Sequence, residues 1–246
     1  TANDRAVFFV GAGDQDIINT SDDELLDIPF VILDKANATD RVILHSEMEI
    51  AGLLTLTSGV LDVATNNRTL TLPSTETRSA FIDGSADGSV DGDVTMQRFV
   101  GKVDGESHFR FLTTPFETKI DDAGAPDNDR NLLSNVWTQS AGSGGNATNV
   151  SSNQVSVYDY DEGVEVEDDL VEGWEPIADL DNTVSPGTGI LTFLFQNNLG
   201  AGDNGFPVTL SVTGPVSANE TDGNDAGPNV SFTDNNTEPN ENGWNL

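Results

Sequence analysis

Cysteine is absent from this chain of 246 residues. That excludes a disulfide framework, a thiolate nucleophile and any Cys-ligated zinc or iron–sulfur site. Imidazoles are nearly absent as well: His45 and His108 are the only two. A Ser-His-Asp relay would need one of them, and no G-x-S-x-G elbow accompanies either. Basic residues are scarce, with 10 Lys and Arg against 42 Asp and Glu and a formal net charge of −32. A field of that sign repels nucleic-acid phosphates and anionic membrane surfaces. No run approaches the ~18 apolar residues of a membrane-spanning helix. Neither nucleic-acid binding nor membrane insertion is therefore expected. Helix signals are confined to "SDDELLDI", Ser21 to Ile28, where Ser21 offers an N-cap and acids fill the first turn. A short helix is expected there and nowhere else.

The charge has an uneven make-up: 28 Asp against 14 Glu, and 3 Lys against 7 Arg. Dense short carboxylates with little lysine suit a protein that works in concentrated salt, where a Debye length near ~3 Å screens self-repulsion. The rival source of such a composition is a calcium-rich extracellular setting, in which part of the carboxylates are ligands. Both place the protein outside an ordinary cytoplasm, and cysteine absence is compatible with bacterial secretion.

The rest of the chain reads as all-β. In residues 1–98 short apolar strands follow one another quickly: Ala6–Val10, Ile28–Leu33, Arg41–His45, Met48–Ile50, Leu53–Thr57, Val60–Val63, Thr69–Leu72 and Ala80–Ile82. Turn residues separate them too closely for hairpins of a sandwich. Three short strands per ~16–22 residues predict a parallel β-solenoid, whose coils stack on one another. Leu54 and Leu56 are then expected to stack near Leu70 and Leu72, with Thr55, Thr57, Thr69 and Thr71 facing outward. Residues 83–93, "DGSADGSVDGD", read as a turn-rich acidic joint. Beyond it, residues 99–246 carry longer, more aromatic strands, at His108–Phe116, Gln154–Asp161, Gly173–Ile177, Gly189–Gln196 and Phe206–Gly214. Their spacing predicts a β-sandwich or jelly-roll-like region.

Taken in order, these pieces resemble a known pattern. "GLLTLTSGVL" (Gly52 to Leu61), "GDVTMQRF" (Gly92 to Phe99), "FRFLTTP" (Phe109 to Pro115), "YDYDE" (Tyr158 to Glu162), Gly173–Trp174, "PGTGI" (Pro186 to Ile190) and "GWNL" (Gly243 to Leu246) succeed one another. This order resembles large secreted adhesin-like surface proteins of the Bacteroidota and their relatives. In those proteins a β-solenoid leads into a β-sandwich, and export often follows the type IX route. Each motif alone is weak and the order is the specific part. "TTP" stands for "SSP", and Ile190 for an aromatic. The resemblance implies an extracellular, cell-surface location and brings no catalytic residues with it. The family pattern would continue beyond Leu246, so the C-terminal region is expected to be incomplete, either a piece of a longer polypeptide or completed by a neighbour's strand. "RAVFFV" at the N-terminus is a donor candidate, although a first solenoid strand explains it more simply.

Several residue groups carry candidate sites. Asp87-Gly-Ser89-Val-Asp91-Gly92 matches the first half of a calcium loop, with Asp83 and Asp93 as further oxygen donors. The twelfth position is Arg98 rather than a bidentate Glu, so an EF-hand does not fit and a solvated acidic linker is the simpler reading. Asp121/Asp122 with Asp127/Asp129, Asp159/Asp161/Glu162 and Asp222/Asn224/Asp225 are weaker hard-cation clusters. Tyr158 and Trp174 are the first candidates for a glycan platform, with Trp137, Tyr160 and Trp244 behind them, although core packing is the simpler role for most of these aromatics. No cofactor is required, calcium being the one candidate.

The function expected is non-catalytic and structural: a subunit of a surface fibre, layer or adhesin stalk in a saline habitat, partnered by itself or by neighbouring domains. A carbohydrate-binding adhesin module is the alternative. A polysaccharide-degrading β-solenoid is the second, since 42 acids always offer some carboxylate pair.

Overall fold

The computed structural model describes residues 6–19, 25–101, 108–121, 131–134, 136, 138–140, 155–160, 173–194 and 207–216. The chain divides into two compact units. One comprises Thr1–Val100 with Ser211–Gly227, the other Gly101–Leu210 with Pro228–Leu246. Among the described residues every regular element is a strand.

The first unit is a parallel β-solenoid of about four turns. Its strands are β1 (Ala6–Gly11), β2 (Gln15–Ile17), β3 (Leu26–Lys35), β4 (Arg41–Leu44), β5 (Met48–Asp62), β6 (Leu70–Leu72), β7 (Phe81–Asp91) and β8 (Asp93–Val100). They stack in three ladders. One ladder runs through β1, β3, the middle of β5 and β7. The next runs through β2, β4 and the ends of β5 and β7. The third joins the starts of β3 and β5 to β6 and β8.

Alternation in each strand sends every second side chain inward, where it meets its counterpart one coil away. Val7, Val31, Leu54 and Ile82 form one such column. Val42, Leu61 and Val90 form a second, and Leu26, Met48, Leu70 and Val94 a third. Val31, Val42, Met48, Leu54, Leu61, Leu70 and Val94 are all buried. The threonines face as alternation predicts: Thr55 and Thr71 are half-buried, Thr57 and Thr69 exposed.

Long strands turn the solenoid's corners through glycines. At Gly59 the backbone has φ +101° and crosses Lys35, whose Cγ would lie 2.5 Å from an added Cβ. Gly92 turns the corner between β7 and β8 at φ +116°, against the backbone of Ala64. No side chain larger than hydrogen fits either place.

Three expectations are corrected. First, the coil is longer than ~16–22 residues in part. Numbering advances by 22 at the Met48–Leu70 contact and by 28 at Leu53–Phe81. Leu70 therefore stacks on Met48, and Leu54 on Ile82. Excursions at Ala64–Arg68 and Pro73–Ala80 lengthen the coil without altering its rungs; the second is tied off by the Ser74–Ser79 bridge.

Second, the acidic stretch 83–93 is no joint. Most of it is β7, paired residue by residue with β5. Asp-Gly signals a turn in isolation, yet here the Asp side chains take outward positions and Gly88 lets the strand approach the Leu56 carbonyl. Third, the expected helix is not formed in its described part. Leu26, Asp27 and Ile28 open β3, because Ile28 gains burial by pairing with Ile50; Ser21 to Glu24 lie outside the described residues.

The second unit is antiparallel where it is described. β9 (His108–Thr113), β10 (Thr118–Lys119), β11 (Val157–Tyr160), β12 (Trp174–Pro176), β13 (Thr183–Val184) and β14 (Gly189–Leu194) follow in chain order. A four-stranded sheet has the order β12-β11-β14-β9, and β10 pairs with β13. Although it follows β14 in the chain, β15 (Val208–Pro215) joins the solenoid sheet beside β8. There Thr213 and Thr95 share a 2.7 Å hydroxyl hydrogen bond.

Candidate functional site

Two constellations emerge, one in each unit. On the second ladder of the solenoid, Arg41 joins successive coils. Its backbone N–H donates to Asp14 Oδ1 (2.8 Å), one coil earlier. Its Nη1 donates to Asp62 Oδ2 (2.5 Å) and Asp91 Oδ2 (2.8 Å), in the two coils that follow. Asp62 is buried and also accepts from Thr65 N–H (2.9 Å) and Thr65 Oγ1 (2.7 Å). Burial works to raise the Asp62 pKa. The hydrogen bonds from Thr65 and Arg41 outweigh it and hold the carboxyl below its ordinary value. Asp91 and Asp62 in turn push the Arg41 guanidinium up.

This arrangement bears on chemistry. A glycosidase needs one carboxyl kept protonated as the general acid. The two carboxylates that the solenoid brings together here share one guanidinium, and Asp62 is fixed in its charged form.

The calcium-loop residues sit in the same region. Asp83, Asp87, Ser89 and Asp91 lie on β7 and Asp93 opens β8. Extended pairing with β5 carries them along the ladder instead of wrapping them round a centre, and Asp91 is engaged by Arg41. Among the described residues no group of three His, Cys, Asp or Glu is placed to hold a metal ion. Asp121 is buried in the second unit and hydrogen-bonded by Thr138 Oγ1. Asp122, Asp127, Asp129, Asp161, Glu162 and the Asp222 cluster lie outside the described residues.

The second constellation is aromatic. Across the four-stranded sheet, Tyr158 pairs with Leu191 and Leu191 with Phe111. Tyr160 pairs with Trp174, and Phe193 with Phe109. Directly opposed residues point to the same face. Phe109, Phe111, Tyr158, Tyr160, Trp174 and Phe193 thus share one side. The other side carries Val157, Ile190, Thr192 and Leu194, all buried.

The aromatic rings touch one another: Phe109–Phe193 at 4.9 Å, Tyr160–Trp174 at 4.9 Å, Phe111–Trp174 at 5.5 Å and Phe109–Tyr158 at 6.1 Å. Phe111 and Trp174 belong to the two outer strands, about 14 Å apart on a flat sheet of ordinary strand spacing. Their contact means that rings lie across the sheet. Tyr160 is seated on Gly173, where the backbone has φ +94° and an added Cβ would lie 2.7 Å from the ring.

The face stays open to solvent, with Phe109 51%, Phe111 56% and Tyr160 38% exposed. Among the described residues its ionisable groups are the two phenols. The structure thus places Tyr158 and Trp174 on the same face of one sheet, on adjacent strands. Sequence reading omitted Phe109, Phe111 and Phe193 from that site. The signal was present: alternate positions 109 and 111 are both Phe in "HFRFLTTP". Trp137 and Trp244 lie outside the described residues.

Comparison with known proteins finds no matching family, no matching curated protein and no matching solved structure.

Proposed function

We propose that the protein is a non-catalytic extracellular structural protein, part of a cell-surface fibre, layer or adhesin stalk in a saline habitat. The solenoid carries this reading. Its parallel coils are repeated structural units in which one rung templates the next, and Arg41 and the inward columns hold the repeat together. Composition supports the saline, extracellular setting: no cysteine, 28 Asp and a net charge of −32. The order of motifs resembling secreted adhesin-like proteins supports the location and the β-sandwich assignment of the second unit. So does a four-stranded sheet that buries Val157, Ile190, Thr192 and Leu194 on one face.

Self-association has support of its own. The outer side of the first ladder shows Ala6, Phe30, Leu53 and Phe81 in register, next to Phe8. Phe8 and Phe81 are largely exposed, an apolar column on an acidic surface that a second copy would cover. Electron microscopy of the natively purified protein in concentrated salt, with and without a chelator, tests the proposal. Regular filaments or sheets are expected, and their loss with chelator would place calcium at the joints. Dispersed particles under both conditions would overturn the structural reading.

A further inference from the structure

We infer that the aromatic face of the four-stranded sheet is a binding site for an uncharged polysaccharide. The inference rests on the extracellular surface reading and adds a ligand to it. Three properties of the face select that class.

The first is charge. The chain is strongly acidic, yet the exposed positions of this face are Phe, Tyr, Trp, Leu, Thr, Gly and Pro. No described residue of the face is a cation that would receive a sulfated or uronic-acid polymer, and the net charge of −32 repels one.

The second is the ring surface. Open, mutually supported rings at interplanar angles of 49° to 69° form a ridged surface rather than a single plane. The apolar C–H faces of pyranose rings lie well against such walls.

The third is the polar rim. The Tyr158 hydroxyl is committed to the Val155 carbonyl at 3.0 Å. The Tyr160 hydroxyl and the Trp174 indole N–H make no hydrogen bond to a described residue. An apolar protein partner lying on the face would offer neither donor an acceptor. A polyhydroxylated ring supplies acceptors beside its C–H faces and satisfies them.

Affinity electrophoresis of the full chain through gels containing starch, mannan, xylan, a mixed-linkage β-glucan or alginate tests the inference, with binding repeated in concentrated NaCl. Retardation by at least one of the four neutral polymers is expected, with none by alginate. Trp174→Ala should weaken binding at least tenfold. Trp174→Phe keeps a ring and removes the indole N–H, so it should weaken binding less. Circular dichroism and thermal unfolding of both variants separate lost binding from lost folding. Should Trp174→Ala fail to fold, Tyr160→Phe removes one hydroxyl without altering the ring and should still weaken binding severalfold.

Retardation by no neutral polymer, retardation by alginate alone, or neutral binding that neither Trp174→Phe nor Tyr160→Phe changes would overturn the inference. Loss of self-association in these variants, without any glycan effect, would assign the face to a protein partner and overturn it too. Filaments that form normally from a protein that binds none of these polymers would refute the ligand and leave the structural reading standing.

Discussion

At the scale of single residues, Asp62 is the most consequential charge in the solenoid. Its buried carboxylate collects two hydrogen bonds from Thr65 and one from Arg41. Arg41 is 38% exposed and keeps Asp91, so removal of Asp62 mainly leaves the Thr65 donors without their acceptor, at a cost of about 1–3 kcal/mol. Asp62→Ala is expected to lose stability on that order in urea unfolding. Asp91→Ala removes the more exposed partner of the same guanidinium and should lose at most about 1 kcal/mol. Equal losses for the two would contradict the assignment.

Acid should abolish the difference. The folded-state pKa of Asp62 is depressed, so its contribution is complete above the unfolded carboxylate value of about 3.9. It then disappears as pH falls through the lower folded value. The gap between wild type and Asp62→Asn should therefore shrink from neutral pH to below about pH 3. A gap that stays constant would show that the carboxylate's charge is not what stabilises.

Little of this was visible in the sequence. Asp62 stands in "VLDV" as one more acid in an acidic chain; Thr65, three residues on, is a local partner, but Arg41 comes from the preceding coil. Tyr158 and Trp174 were more legible, because a half-exposed aromatic on a strand is informative at any position. Their neighbours Phe109 and Phe111 were hidden by the convention that alternating Phe faces a core. The "TTP" departure from "SSP" has a simple reading in the structure. The Thr114 hydroxyl donates to the Phe116 carbonyl at 2.8 Å and accepts from its N–H at 3.2 Å, a role either hydroxyl residue performs.

At the scale of elements, the rungs were legible and their length was not. Alternation has a fixed period of two and is imposed by burial of one face, so the positions of β1, β3, β4 and β6 follow from pattern alone. Corner excursions have no period, and nothing inside Ala64–Arg68 or Pro73–Ala80 reveals how many residues the chain spends there. Glycine shows the same division. Gly59 and Gly84 look alike in sequence, but Gly59 has φ +101° over Lys35, whereas a Cβ at Gly84 would have Leu56 Cβ at 3.9 Å. Gly59→Ala is expected to lose more than about 1 kcal/mol. Gly84→Ala should change stability by no more than about 0.5 kcal/mol. Thermal unfolding of the two variants decides, and a reversed ranking would refute the corner assignment. In the core, Leu54→Ala opens a cavity between Val31 and Ile82 and should cost about 2–5 kcal/mol.

At the scale of the whole molecule, charge and connectivity dominate. A formal charge of −32 on 246 residues opposes compaction, and added salt screens it over a Debye length that falls from about 10 Å at 0.1 M to about 3 Å at 1 M. The midpoint of thermal unfolding should climb steadily with NaCl over that range. A midpoint indifferent to salt would show that the carboxylates are paired or solvated at no cost.

Connectivity has a kinetic corollary in β15. Neighbouring coils join positions 19 to 29 apart in sequence, so each can close soon after its predecessor. The Thr95–Thr213 contact closes a loop of 118 residues. By loop-closure entropy alone, that costs roughly 1.5 kcal/mol more than closing a single coil. On a ribosome the distance also becomes a delay, because β8 waits without its neighbour while Gly101–Leu210 of the second unit is synthesised. Pulsed hydrogen exchange during refolding should accordingly protect the amides of β5 before those of β15. In the interval the bare edge of β8 is a place where another chain can pair, and the moment of greatest vulnerability to misassembly belongs to the last strand to arrive.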